Sequence, residues 1–223
     1  PLKNAVDRDN LDIEKAKRLL QEFRDSVGND PIDVAIKEQQ RDKARADYRH
    51  SVESTKAKKE NLLDLNTRFL ALAAAADLTP QQRGFKLEAL FFDLLHLAEF
   101  DHTKPYRTSD GEQIDGHFKY DKFDYLVEVK WIAGPTKQKD LSVSDGKIRG
   151  KAQSTRGLFL AANGFDDNAV NKFSGDAPRI VLMTGEDLAI ILNDTMPIFD
   201  VMKAKVDAIV RYGNINFPAR DIR

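Results

Sequence analysis

The chain has no cysteine among its 223 residues. Disulfides and thiolate-held zinc are thereby excluded, which agrees with a reducing, cytoplasmic setting. No stretch approaches the ~18 consecutive apolar residues of a membrane span, so no membrane partner is expected. No signal-peptide layout opens the sequence, and its first residue, Pro1, makes a natural start further upstream an expectation. A dominant charge is missing too. Lys and Arg number 35 against 36 Asp and Glu, a net charge of −1. That excludes a uniformly basic nucleic-acid coat and leaves local basic patches open. Asn163-Gly164 and Thr184-Gly185 read as turns, because no Gly-rich loop followed by Lys-Ser or Lys-Thr accompanies them. A serine nucleophile elbow is absent. The four histidines, His50, His96, His102 and His117, lack metal-ligand spacing.

What is present divides into two textures. Residues 1–77 hold one Gly, two Pro and many charges, and they read as helices. Leu11, Ile13, Ala16, Leu19, Leu20 and Phe23 follow helical spacing to about Val27. Gly28 can stop that helix. Asp30 caps the next one, with Pro31 at its first position, and it runs to about Ala76. Tyr48, Val52, Thr55, Lys59, Leu62, Asn66, Phe69 and Ala73 form a weak 4-3 seam. This is either a long solvated helix packing its Leu-rich end on the rest, or a coiled-coil element for dimerisation or a partner protein. Between Lys37 and Glu60 lie eight basic and five acidic residues, a solvated face or, alternatively, a DNA contact.

Residues 78–223 read as an α/β domain. Thr79-Pro80-Gln81-Gln82 is a helix start with a capping box, and that helix runs to about Ala98. Strands follow near 113–119 and 124–132. Next come a helix near 145–155, a strand at Leu158–Ala161 and a helix near 166–173. A strand at Ile180–Met183, a helix over Glu186–Leu192 and a last helix over 197–211 complete the pattern. This order predicts a central mixed sheet flanked by helices.

A hairpin turning at Asp121-Lys122 pairs residues whose numbers sum to 243. Ile114, Gly116 and Phe118 then face Val129, Val127 and Tyr125 on an apolar side, and a slip of one residue would mix the faces. The other side puts Asp115 opposite Glu128, followed by Lys130. Two carboxylates ~5 Å apart repel, and burial raises the cost. A divalent cation removes that penalty, and hard oxygen donors suit Mg2+. The alternative is an ordinary polar face. In the helix after Pro80, Phe85, Glu88, Phe92 and Leu95 share one row, widened by Leu87, Phe91 and Leu94. Glu88 is the one charge in that stripe. It either snorkels to an edge or joins Asp115 and Glu128.

A helix bearing Glu, a strand bearing Asp and a strand bearing Glu-x-Lys resemble the PD-(D/E)xK, or restriction-endonuclease-like, nuclease superfamily. The closer similarity is to its Mrr-like branch. The matching segments are Arg83-Gly84-Phe85-Lys86-Leu87-Glu88, Gln113-Ile114-Asp115-Gly116 and Val127-Glu128-Val129-Lys130. Gly157 to Phe165 and Ile180 to Leu188 look like later strands of that branch. Two departures are visible. Ile114 stands where the motif has Pro, and Glu128 stands where many Mrr-like proteins have Gln.

The resemblance implies a restriction-endonuclease-like core and a Mg2+-dependent deoxyribonuclease, with Mn2+ as a substitute ion. It implies DNA as partner, action as a dimer, and a role in restriction or phage defence. It implies that Asp115 and Glu128 hold the metal with the Val129 carbonyl, and that Glu88 binds a second metal or its water. Lys130 would orient or help deprotonate the attacking water and offset charge on the phosphorane-like transition state. Lys137, Lys139, Lys147, Arg149 and Lys151 stand in a basic loop over 137–156, either a nucleic-acid clamp or a solvated segment. Gln153 and Lys151 are further candidates to orient Lys130 or water. The rival from another class is a catalytically inactive nuclease-like domain serving as a DNA-binding or oligomerising platform.

Overall fold

The computed structural model describes residues 13–28, 31–107, 113–175 and 177–222. Helix α1 spans Ile13–Gly28 and α2 spans Pro31–Ala74; Leu11 and the capping position Asp30 lie outside the described residues. The chain forms two compact units, Pro1–Lys56 and Ala57–Arg223. In the first, the stripe of Leu19, Leu20 and Phe23 is exposed.

The division falls inside α2, earlier than the change of texture at 77/78. The reason is the row Leu65, Phe69 and Leu72, which is buried in the main core of the second unit. These residues and half-buried Leu62 sit at i+3 and i+4 spacing. The seam expected through Ala73 is therefore displaced, since Ala73 is exposed.

Helix α3, Pro80–Leu97, starts as its sequence dictates. Thr79 accepts from the Gln82 amide, and the Gln82 side chain accepts from the Thr79 amide, which satisfies two orphan donors at once. The strands are β1 His102–Thr103, β2 Tyr106–Arg107, β3 Gln113–Ile114, β4 His117–Tyr120, β5 Phe123–Lys130, β6 Arg156–Ala161 and β7 Ile180–Thr184. The main sheet has the order β1-β4-β5-β6-β7, while β2 and β3 form a separate ribbon. β1, β4 and β5 are antiparallel; β5, β6 and β7 are parallel. The remaining helices are α4 Gln138–Arg149, α5 Asp167–Phe173, α6 Gly185–Leu192 and α7 Ile198–Tyr212. Helix α4 begins about seven residues earlier than expected and replaces the basic loop.

The sheet is covered on both faces, as its apolar parallel strands require. Val127, Val129, Leu158, Leu160, Val181 and Met183 join the core cluster with α3, α6, α7 and the end of α2. Phe159, Ala161, Ile180 and Leu182 join a second cluster with Leu141 and Ile148 of α4 and Ala169 of α5.

The hairpin register is the expected one, with His117, Phe118, Lys119 and Tyr120 opposite Leu126, Tyr125, Asp124 and Phe123. Its turn carries positive φ at both centres, 45° at Asp121 and 68° at Lys122. That is the backbone of a type I′ turn, which suits the strand twist but taxes a side chain like lysine. Lys122→Gly is expected to raise stability by about 1 kcal/mol, read as a higher urea midpoint at unchanged slope.

Candidate active site

The ladder between β4 and β5 stops where the sequence expected it to continue. Gly116 accepts from the Val127 amide at 2.9 Å, and its φ of 126° turns the chain away. A Cβ at Gly116 would lie 2.3 Å from Phe92 Cζ and 2.6 Å from the Thr103 carbonyl oxygen. Only glycine fits both the dihedral and the space. Ile114 consequently pairs with Tyr106 in the small ribbon, not with Val129.

This break creates the site. Along β5 the backbone groups alternate sides. Lys130 accepts from Ala162 on the β6 side, so the Val129 amide and carbonyl point to the edge that β4 has vacated. Asp115, 9% exposed, fills that edge, and its Oδ2 accepts from the Val129 amide at 3.2 Å. Asp115 thus reaches β5 through its side chain rather than through a cross-strand pair with Glu128.

Glu128 and Lys130 leave β5 on the face covered by α4. Lys147 Nζ is 2.9 Å from Glu128 Oε2, and Lys130 Nζ is paired with Asp140 Oδ1. Glu88 comes from the opposite face, on α3. A cavity of about 300 Å³ joins the two sides and is lined by Gly84, Phe85, Glu88, Asp115, Val129 and Lys130, among others. Phe85, expected in the apolar stripe, is exposed at its lip.

The carboxylates feel one another. Burial pushes Glu88 up to about 7, with Asp115 and Glu128 adding to the shift. Burial also raises Asp115, followed by Glu128; the Val129 amide, Lys147 and Lys130 oppose the rise. Among the described residues no group of three His, Asp or Glu stands ready to hold a metal ion. The chemistry of the donors nevertheless fits a divalent cation. They are hard oxygens, partly desolvated, whose mutual repulsion an added positive charge would relieve.

The Glu88 shift sets a pH dependence. Its folded pKa exceeds the ordinary carboxylate value, so between about 4.5 and 7 the folded state keeps a proton that the unfolded chain has lost. The carboxyl therefore makes stability fall as pH rises through that window. Glu88→Gln removes this slope. Its urea midpoint should exceed that of the native protein at pH 8 and approach it at pH 5.

The other residues singled out in the sequence are spread along α4 and beyond. Lys137 precedes α4 and Lys139 lies in its first turn, both exposed. Arg149 pairs with Asp145 at 2.6 Å. Lys151 is half-buried and Gln153 is exposed. Sequence reasoning missed Asp140 as the partner of Lys130, and read Lys147 as a surface cation. The only available signal was their spacing of seven, which places both on one helical stripe once α4 is located correctly.

A three-layer α/β domain that brings Asp115, Glu128, Lys130 and the helix-borne Glu88 around the C-terminal half of the central strand β5 has the architecture of a restriction-endonuclease-like core. A family model described as restriction endonuclease, Mrr_cat, matches residues 80–192, and the chain belongs to that family. Among solved structures, the chain is similar to the DNA modification-dependent restriction endonuclease AspBHI. That similarity has 18% identity and a TM-score of 0.39, over 69% of this chain and 40% of that one. It is also similar to the MspJI restriction endonuclease in complex with a 27-mer oligonucleotide. There the identity is 14% and the TM-score 0.34, over 61% of this chain and 34% of that one. The chain thus spans less than half the length of either protein. No curated protein matches it. Among the described residues no helix is long and apolar enough to cross a membrane.

Proposed function

We propose that the chain is a divalent-metal-dependent DNA endonuclease that hydrolyses phosphodiester bonds, with Mg2+ as the working ion and a role in restriction or phage defence. The observation that carries this reading is the meeting of Glu88, Asp115 and Lys130 on one cavity beside Glu128. Asp115 and Glu128 would hold the cation, with the Val129 carbonyl and Glu88 as further oxygen donors. A cation there would make a water acidic enough to attack at neutral pH and would polarise the phosphate.

The chain's own groups do the rest. Lys130 places a fixed positive charge where negative charge grows on the phosphorus oxygens. Asp140 pairs with that amine at the C-terminal end of β5. Glu88, whose carboxyl burial pushes up to about 7, would bind a second cation or a cation-bound water, either of which would favour its charged form. The exposed cations Lys137 and Lys139, with Arg149 and Lys151, form a basic stretch suited to the sugar-phosphate backbone. One centre cuts one strand, so double-strand cleavage calls for a dimer or higher oligomer. Residues 1–77 are the candidate element for that, or for a partner protein.

Incubation of supercoiled plasmid with the full chain tests this. Nicking in Mg2+ or Mn2+ that EDTA stops is expected. Absence of cleavage on double-stranded, single-stranded and branched DNA alike, with DNA binding intact, would favour a non-catalytic DNA-binding platform instead.

A further inference from the structure

We propose that Lys147 is a stand-in for the divalent cation: its ammonium, paired with Glu128, neutralises that carboxylate whenever no cation is bound and must surrender it when a cation enters. The inference rests on the assignment of Asp115 and Glu128 as the cation's ligands.

Helix α4 carries the argument. Lys147 in its last turn and Asp140 in its first lie seven residues apart, two turns on one stripe. Ser144 lies between them on the same stripe and is buried against the sheet. The helix therefore presents an anion to Lys130 and a cation to Glu128, matching each charged residue of β5 with its opposite. The Lys147–Glu128 pair is well covered, with side chains 19% and 18% exposed. At that depth an uncompensated carboxylate is costly.

Glu88 and Asp115 both lie close enough to Glu128 to feel its charge, and Lys147 opposes the rise that burial and Glu128 give the Asp115 carboxyl. An ammonium and a metal ion compete for the same lone pairs, since the ion needs the Glu128 oxygens directly. Lys147 thus stabilises Glu128 when no cation is bound and weakens cation affinity. Once Glu128 is taken, the freed ammonium lies beside the approaching phosphate and becomes available to it. Metal loading and substrate contact are coupled through one side chain.

Calorimetric titration of Ca2+ into the DNA-free chain tests this without any turnover. Lys147→Met should bind Ca2+ about tenfold more tightly than the native protein, and Lys147→Arg should resemble the native protein. Without cation, Lys147→Met should melt below the native protein, and saturating Ca2+ should raise its Tm by more. Lys147→Gln gives the same direction should the Met variant not fold. Equal or weaker Ca2+ binding by the uncharged variants, with native binding intact, overturns the inference and leaves the ligand assignment standing. No binding by native and variant alike overturns both.

Discussion

Asp115→Asn is expected to lower DNA cleavage by at least ~10²–10³-fold, the scale of removing one charge-stabilising group from a catalytic centre, while the protein stays folded. The substitution keeps an oxygen that can accept from the Val129 amide, the bond that ties Asp115 to β5 at 3.2 Å. It removes only the negative charge. That charge sits in a partly desolvated place near Glu128, and both effects raise the Asp115 pKa. Its loss should not destabilise the fold at neutral pH. Plasmid nicking at saturating Mg2+ and a urea melt on the same sample check the two halves together. Cleavage within a few fold of native would remove Asp115 from the site. A collapse of stability would mean that the carboxylate serves the fold instead.

The largest expected effect on folding lies away from the site. Lys205 on α7 is completely buried, and so is Asp187 on α6. Lys205 Nζ donates to Asp187 Oδ2 at 2.8 Å, to the Leu182 carbonyl at 2.9 Å and to the Phe217 carbonyl at 2.7 Å. Asp187 also accepts from the Ala219 amide at 2.7 Å and closes the capping box with Thr184. One ammonium therefore ties β7, α6, α7 and the C-terminal segment. Burial pulls its pKa below the usual lysine range, with Asp187 opposing.

Lys205→Met removes three donors and strands Asp187 as a buried anion. A loss of about 3–5 kcal/mol is expected, as for other buried pairs broken from one side. Urea unfolding at pH 7 measures it. Lys205→Met combined with Asp187→Asn should recover part of the loss, because the stranded charge is gone. A loss below about 1 kcal/mol for the single variant would show that the network contributes little.

The legible parts of the structure share a physical cause. Thr79-Pro80 with Gln82 announced α3 because capping is decided by a few adjacent atoms. The strands at 158–161 and 180–183 were visible because residues buried on both faces leave an unbroken apolar run. The β4–β5 register followed from alternation, despite a turn pair that the backbone does not favour. Helix α4 was misplaced because its start has no side-chain cap and only three of its residues are buried. Lys205 gave no signal at all, since its burial depends on three chain segments meeting.

By itself the sequence determined the α/β order, the hairpin register over residues 117–126 and which acidic and basic residues stand near one another along the chain. These are properties of neighbours along the chain and of apolar periodicity. Only the tertiary structure decided how those residues meet. Phe92 and Thr103 leave room for nothing larger than glycine at position 116, so the ladder breaks and Asp115 turns its side chain into the gap. Helix α4 then lies across β5 and supplies the counter-charges Asp140 and Lys147. Steric exclusion and charge pairing between distant segments depend on three-dimensional packing, and no local pattern encodes them.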